Sequence, residues 1–280
     1  MRKRTAFGLI RRALLGFGLV LGLIFAGFPF YWMLTTSTMT SAERYAESPV
    51  LTPNFTSLGE YGSLVTSTPI FQWLGNSAFI AFGVTVLSIV IAVLAAYALS
   101  RFRFHGKGIA GFLLFTTQML PEALLIVPLY ALFLSAGLLD DLVGIVLIQT
   151  AFVMPVAVWI IKGAMDGIPF EIEESAQMDG VPRFGILWTI VLPLVAPSIA
   201  AASVIAFFDG WNEFLVSSTF ISSPERWPAS VGLASFIGEY LTPLESVMAA
   251  ATIYTIPAVV FFWFVQRMIV QGLTAGAVKG

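Results

Sequence analysis

Apolar residues in this chain fall into six long, nearly uncharged stretches, which shorter polar segments separate. A helix needs about 20 apolar residues to cross a membrane, and each stretch provides that length. None of the stretches alternates with the period of two expected of barrel strands. The pattern predicts an all-α, polytopic membrane protein with six transmembrane helices, and residues 1–280 are expected to form a single transmembrane domain. We place the helices near 13–35, 75–100, 109–136, 142–162, 190–216 and 245–268.

Basic residues are distributed unevenly among the connecting segments. Twelve of the 14 lysines and arginines lie at the chain ends or in the segments that follow the second and fourth spans, and only Arg44 and Arg226 lie elsewhere. Cytoplasmic segments carry the excess of basic residues in membrane proteins. Both termini are therefore predicted to be cytoplasmic, which agrees with an even number of spans.

The overall composition argues against several classes of function. Hydrophobic residues make up 58% of the chain and charged residues 11%, whereas a soluble domain carries about 25% charged residues. The chain has no cysteine and one histidine, which argues against a disulfide framework, a metal centre and a Ser/His/Asp triad. A net charge of −2 without a long basic stretch argues against nucleic-acid binding. We expect no catalytic residue, metal or cofactor in this chain.

The segment between the fourth and fifth spans carries helix signals of its own. Pro169 suits a first helical turn, Gly180 suits a left-handed C-terminal position, and Pro182 prevents the helix from continuing. These signals predict a short cytoplasmic helix at about 169–180, followed by a second helix start at Pro182. We expect it to lie along the cytoplasmic face, with Ile172, Ala176 and Met178 available for docking. Alternatively, the segment is a hairpin that only links two spans.

The spacing of residues in this segment resembles a known signature. Glu174-Ser-Ala176, Gly180 and Ile190-Val-Leu-Pro193 are similar to the pattern E-A-A-x3-G-x9-I-x-L-P of membrane subunits of ATP-binding-cassette importers. Ser175 replaces the first alanine of this pattern. The resemblance implies that the helix couples the spans to an ATPase subunit. The residues to which it assigns this coupling are Glu173, Glu174, Ser175, Ala176, Asp179, Gly180 and Pro193.

Three further stretches resemble the maltose-type carbohydrate permeases within that superfamily. They are residues 95–107 at the end of the second span, 208–214 in the fifth span and 272–280 at the C-terminus. His105 stands where this branch more often has proline.

The resemblance to this branch implies a set of partners. They are a second, homologous permease subunit, two P-loop ATPase subunits that bind ATP and Mg, an extracytoplasmic solute-binding protein, and a sugar as the transported solute. It also implies that Gly272, Gly276 and Lys279 contact the ATPases, in a tail that the two glycines make too flexible to remain helical alone. The chain itself lacks the G-x4-G-K-[ST] motif of an ATPase. The resemblance thus predicts a multi-pass permease of a bacterial cytoplasmic membrane.

Polar residues inside the predicted spans indicate a solute path. Glu122 lies between Pro121 and Pro128, which suggests a broken or kinked third helix that lines a cavity. Asp209, Asn212 and Glu213 would share one face if the fifth helix continued past Phe208. The residues assigned to the path are Gln118, Glu122, Asp209, Trp211, Asn212 and Glu213.

Each of these assignments has an alternative. Glu122 could instead bond a neighbouring helix, the 209–213 cluster could lie at the outer interface, and Asn76 is expected to cap the second span. For the whole chain, the alternatives are an importer permease for an amino acid or polyamine and an ion-coupled secondary transporter, although we find no repeat of the kind that such transporters carry. A membrane enzyme would need a nucleophile or paired carboxylates that the sequence does not offer.

Overall fold

The structure is a computed structural model that describes residues 2–44, 50–55, 58–238 and 243–277, with only the backbone described for 2–10, 41, 44 and 268–277. All regular elements in these ranges are helical. They are α1 (Arg2–Ser37), α2 (Ser41–Arg44), α3 (Gly59–Ser67), α4 (Ile70–Arg101), α5 (Lys107–Thr117), α6 (Glu122–Ala136), α7 (Leu142–Asp166), α8 (Phe170–Met178), α9 (Arg183–Ile186), a π turn (Leu187–Val191), α10 (Leu192–Trp211), α11 (Leu215–Phe220), a 3-10 turn (Pro224–Arg226), α12 (Ala229–Ala234) and α13 (Leu244–Ala277).

Five helical segments of the described chain are long and apolar enough to cross a membrane, and a bent pair of helices makes a sixth candidate. The five are Arg11–Ser37, Ile70–Arg101, Leu142–Asp166, Arg183–Phe220 and Leu244–Arg267. The bent pair is α5 with α6. The all-helical class is therefore confirmed, and the number of candidate spans agrees with the prediction. Most of the helices extend several residues beyond the limits that hydropathy alone suggested.

The third span is broken at Pro121, as predicted, whereas Pro128 lies inside α6. The axes of α5 and α6 differ by 102°, and the break lies between Thr117 and Glu122. Pro121 directly precedes α6 in an extended conformation. A proline has no N–H to donate and disfavours helical geometry in the residue before it, which favours a break between α5 and α6 at this position. The bend leaves Glu122 at the start of a helix rather than in the middle of one.

Residues 69–234 and 256–280 form one compact unit, in which α4, α7 and α10 pack against one another. Small residues allow two of these contacts to be close. A Cβ atom on Gly210 would stand 2.9 Å from the Ala81 Cα, and one on Gly83 would stand 3.0 Å from Val146 Cγ2. Helices in membranes approach closely at such small residues because lipid supplies no hydrophobic force between them.

Residues 1–68 and 235–255 form the other unit. The middle of α1 is exposed, whereas residues 35–38 at its end are buried. Ser37 and the Tyr61 hydroxyl share a hydrogen bond of 2.7 Å, and Ser246 Oγ donates to Glu60 Oε2 over 3.1 Å. Side-chain hydrogen bonds thus link three separate segments of this unit.

Candidate coupling helix and solute path

Helix α8 forms where the proline and glycine signals predicted it. It covers Phe170–Met178, with Pro169 just before it, so it is slightly shorter than the predicted 169–180. Gly180 has a φ of +83°, in the left-handed region. The Gly180 N–H donates to the Gln177 carbonyl and the Val181 N–H to the Ala176 carbonyl, each over 3.0 Å. This is a Schellman ending, which satisfies the last carbonyls of the helix.

One face of α8 packs against the end of α4. Glu173 is only 5% exposed, and its Oε1 accepts from Arg101 Nε over 2.5 Å, while its Oε2 accepts from the Tyr97 hydroxyl over 3.2 Å. Ala176, three residues later, is buried in the cluster of apolar residues between α4, α7 and α10. The expectation that Ala176 is available for docking is therefore wrong, because it shares a helix face with Glu173.

The opposite face of α8 is open. Glu174, Ser175 and Asp179 are exposed, Ile172 is 42% exposed and Met178 is 89% exposed. Between α8 and the end of α4 lies a mainly polar depression of about 200 Å³, next to the Arg101–Glu173 ion pair. Its lining includes Glu174, Gln177 and Arg183. An exposed methionine beside charged groups is a surface that a partner protein could cover.

The chain re-enters helical structure at Pro182, as expected, and then passes through the π turn. Pro193 lies in the first turn of α10, directly after that π turn. Because Pro193 has no N–H, the Thr189 carbonyl four residues earlier lacks its usual helical donor. A wider turn at this place is the expected response to a missing helical bond.

The predicted solute-path residues divide into an exposed group and a buried group. Glu122, Asp209 and Asn212 are exposed, and the carboxylates of Glu122 and Asp209 are close enough to interact electrostatically. Gln118 is also exposed, and its Nε2 donates to the Phe152 carbonyl over 2.9 Å. Carboxylates at membrane depth normally face a bundle interior or a water-filled cavity.

The condition for a single helical face across residues 209–213 is not met, because the helix continues past Phe208 only as far as Trp211. Helix α10 ends at Trp211, so Glu213 lies outside it. The Glu213 carboxylate is buried and accepts from the backbone N–H groups of Val216 (2.7 Å) and Ser217 (2.9 Å), at the start of α11. Trp211 is 2% exposed and stacks on Phe207 with 5.8 Å between ring centroids. Both side chains thus have structural contacts in this chain.

The C-terminal prediction needs one correction. Helix α13 continues through Gly272 and Gly276 to Ala277, so the expected loss of helix does not begin at these glycines. A helix of 34 residues propagates past single glycines because each one weakens it by only about 1 kcal/mol. Lys279 lies outside the described residues.

The sequence did not predict the hydrogen bonds that hold residues 222–227, the segment before α12, against α4. Asn76 was expected to cap α4, but α4 begins at Ile70, and Asn76 Nδ2 donates to the carbonyls of Glu225 and Trp227, each over 2.9 Å. Trp73 Nε1 donates to the Pro224 carbonyl over 2.9 Å. These donors lie on one face of α4, but their partners are about 150 residues away, so no local pattern indicates the pairing.

Asp140 also forms hydrogen bonds to the segment before α12. Its Oδ1 accepts from the N–H groups of Ser222 (3.0 Å) and Ser223 (2.9 Å), and its Oδ2 accepts from Ser223 Oγ over 2.6 Å. Its φ is +56°, a conformation that aspartate tolerates better than most residues. The hydrogen bond from Ser223 Oγ is the main reason why the pKa of the Asp140 carboxyl lies below its ordinary value.

Comparison with known proteins places the chain among transporter subunits. Residues 88–275 match the family described as binding-protein-dependent transport system inner membrane component. The sulfoquinovosyl glycerol transport system permease of Agrobacterium fabrum is 32% identical, over 90% of this chain and 89% of that protein. The trehalose/maltose transport system permease of Thermococcus litoralis is 34% identical, over 97% and 98% of the two chains. The maltodextrin permease of Bacillus subtilis is 34% identical, over 87% and 89%.

A solved structure shares the fold. A chain of a bacterial ABC transporter involved in the import of the acidic polysaccharide alginate superposes with a TM-score of 0.77 and 23% identity, over 95% of this chain and 98% of that one.

Proposed function

Because this chain belongs to the family of binding-protein-dependent transport system inner membrane components, we propose that it is the permease subunit of an ATP-binding-cassette importer for a sugar or sugar derivative. The observation that carries the proposal is the agreement among its relatives. The three described above take up sulfoquinovosyl glycerol, trehalose and maltose, or maltodextrin, all of which are saccharides or glycosides, and each aligns over most of both chains. None of these three relatives is described as an amino-acid or polyamine permease.

The proposed subunit is a multi-pass protein of a bacterial cytoplasmic membrane and does not hydrolyse ATP. It forms half of the translocation path beside a second, homologous permease. Two P-loop ATPase subunits supply the hydrolysis, and an extracytoplasmic binding protein delivers the solute. The family description supports dependence on a binding protein, and the absence of a P-loop motif from the sequence supports a separate ATPase.

Helix α8 is the proposed contact with one ATPase. Twelve of the 14 basic residues lie at the chain ends or in the segments after the second and fourth spans, and this distribution supports a cytoplasmic location for α8 and for both termini. Its exposed face, with Glu174 and Met178, would enter the ATPase, while Glu173 and Ala176 hold its other face on α4 and the adjoining core. Helix α8 would then move as a rigid body and transmit the movement of the ATPase to the spans. Pro193 would act indirectly, by fixing the turn that joins α9 to α10.

The proposed solute path follows the exposed polar groups at the bend of the third span and the end of α10. Gln118, Glu122, Asp209 and Asn212 remain candidates to face it, because they are polar, exposed and in otherwise apolar spans. Trp211 and Glu213 would not touch the solute. Their buried contacts would instead stabilise the structure around the path.

Reconstitution tests the function directly. The chain would be co-expressed with a second permease and an ATPase of the same importer and placed in proteoliposomes with the binding protein of that importer. We expect ATP hydrolysis to rise when the binding protein is loaded with a saccharide, and not when amino acids or polyamines are offered. Uptake that persists without the ATPase, driven by an ion gradient, would overturn the proposal in favour of a secondary transporter.

A further inference from the structure

A groove with an apolar floor and a basic end runs between α5 and α7. It has a volume of about 380 Å³ and is lined mainly by apolar atoms. We call it the lysine groove and define it by Leu99, Lys107, Gly111, Phe112, Trp159 and Lys162. Phe112 is 65% exposed and Trp159 is 38% exposed, so the groove opens onto the outside of the compact unit rather than into its core.

Both cationic groups lie toward the same end of the groove. Lys107 begins α5, and its Nζ donates to the Phe102 carbonyl over 3.2 Å. Lys162 lies one turn before the end of α7, and its Nζ stands 5.8 Å from the centre of the Trp159 ring, within cation–π range. Apolar side chains cover the rest of the groove. A site that is cationic at one end and apolar along its length has the polarity of an anionic amphiphile.

The charges at this end do not cancel. Lys162 Nζ lies 2.5 Å from Asp166 Oδ2, so one positive charge has a partner within the chain. Lys107 bonds only a neutral carbonyl among its described contacts. One cationic charge is therefore left for a ligand with a single negative charge, such as a phosphodiester headgroup.

Glycine keeps the groove open. A Cβ atom on Gly111 would stand 3.7 Å from Trp159 Cη2, so the indole ring lies directly beside the backbone of α5. Gly108, which also lines the groove, has nothing within 4 Å of the position of a Cβ atom. A larger side chain at position 108 would fit without a clash and would fill space that an acyl chain could otherwise occupy.

We propose that the lysine groove binds an anionic phospholipid of the cytoplasmic leaflet, with its phosphate at Lys107 and Lys162 and an acyl chain along Phe112 and Trp159. The proposal rests on the orientation given under the proposed function, which puts both lysines at the cytoplasmic surface. Basic pockets between membrane helices on that side are suited to anionic headgroups, and tryptophan is enriched at the same depth. Phosphatidylglycerol is the probe of choice because its headgroup carries one net negative charge.

The test uses the full chain in lipid nanodiscs and measures quenching of Trp159 fluorescence by phospholipids with brominated acyl chains. Subtraction of the Trp159→Phe spectrum isolates the signal of this one residue. We expect phosphatidylglycerol to compete for the groove about fivefold better than phosphatidylcholine with the same chains, the ratio that one uncompensated cation near an anionic lipid provides.

Three variants separate headgroup recognition from general effects. Lys107→Gln combined with Lys162→Gln should remove the preference for phosphatidylglycerol, whereas Arg103→Gln, in the same loop but outside the groove, should retain it. Gly108→Leu should reduce quenching by both lipids without changing any charge. As a further control, Lys162→Arg preserves the charge and should behave as the unmodified chain.

Two results would overturn the proposal. Equal quenching by both lipids would show an apolar surface without headgroup recognition. Failure of both lipids to quench Trp159 would show that the groove is closed to lipid. Neither the ATPase nor a solute takes part in this measurement, so the lipid site and the transport function can fail independently.

Discussion

Arg101 and Glu173 form a buried ion pair across 72 positions of the chain, with both side chains almost fully shielded from solvent. The Arg101 guanidinium also donates to the Ile168 carbonyl over 3.1 Å and lies over the Phe170 ring, 4.6 Å from its centre. It therefore contacts the segment before α8, the first residue of α8 and the Glu173 carboxylate. The last turn of α4 and helix α8 are thus joined at three points by one side chain.

Glu173 and Glu174 are neighbours with opposite exposure, which allows their roles to be separated. Glu173→Ala should destabilise the chain by about 3–5 kcal/mol, because it leaves the Arg101 charge buried without its partner. Glu174→Ala should leave stability unchanged and weaken binding of the ATPase, without affecting the affinity of the binding protein for solute. Thermal unfolding and co-purification of the ATPase measure the two effects. Equal losses of stability in both variants would contradict this division.

Gly180 ends α8 in a conformation that other residues resist. Gly180→Val should cost about 1–2 kcal/mol and disturb the angle between α8 and α9, because a β-branched residue is strained at positive φ. Gly180→Asn is the matched control, since asparagine tolerates the left-handed region. We expect the valine variant to uncouple ATP hydrolysis from uptake and the asparagine variant to remain coupled. Normal coupling with valine would show that the turn adapts.

Asn212 and Trp211 are adjacent but should respond differently to substitution. Asn212→Ala removes an exposed polar group at the proposed path and should lower the rate of uptake while leaving the melting temperature and subunit assembly unchanged. Trp211→Ala should destabilise the chain by about 3–5 kcal/mol, the usual result of truncating a large buried aromatic side chain. Uptake by proteoliposomes and thermal unfolding distinguish the cases. Full uptake by Asn212→Ala would remove this residue from the path.

Asp140 should hold the segment at Ser222 and Ser223 only while it is ionised. Its lowered pKa means that this stabilisation is complete above the ordinary pKa of aspartate, about 3.9, and is lost as the pH falls through the lowered value. Asp140→Asn should therefore loosen the segment at neutral pH. Hydrogen exchange of the Ser222 and Ser223 amides measures this, and Asp141→Asn is the neighbouring control. Unchanged exchange in Asp140→Asn would contradict the assignment.

The C-terminal segment offers a test of the ATPase contact. Deleting residues 272–280 should leave the membrane spans folded and inserted, because the last candidate span ends at Arg267. We expect the truncated chain to assemble less well with the ATPases or to show weaker solute-stimulated hydrolysis. A complex of the truncated chain that assembles and transports at the full rate would show that the segment is dispensable.

The number of spans, the break at Pro121 and the ending of α8 at Gly180 could be predicted because each depends on residues that are close in sequence. The burial of Glu173 could not, since an acidic residue in a first helical turn is typical of a solvated face, and Arg101 lies on another helix. The same holds for Asn76, whose position near the start of α4 suggested a cap while its partners lie near α12. Hydropathy also missed the end of α10 at Trp211, because apolar residues continue beyond it.

The π turn at Leu187–Val191 gives the spacing of the family signature a geometric meaning. A π turn holds one more residue than an α turn, so the interval between Gly180 and Pro193 includes a residue that a regular helix would not need. With this residue present, Ile186, Leu187 and Val191 are all buried against the same core. Deleting one residue from α9 would rotate the part of the chain before the deletion by about 100° relative to Ile186 and the turn. Deleting one residue within the π turn would convert it to regular helix. The interval between Gly180 and Pro193 therefore sets the helical register as well as matching the motif.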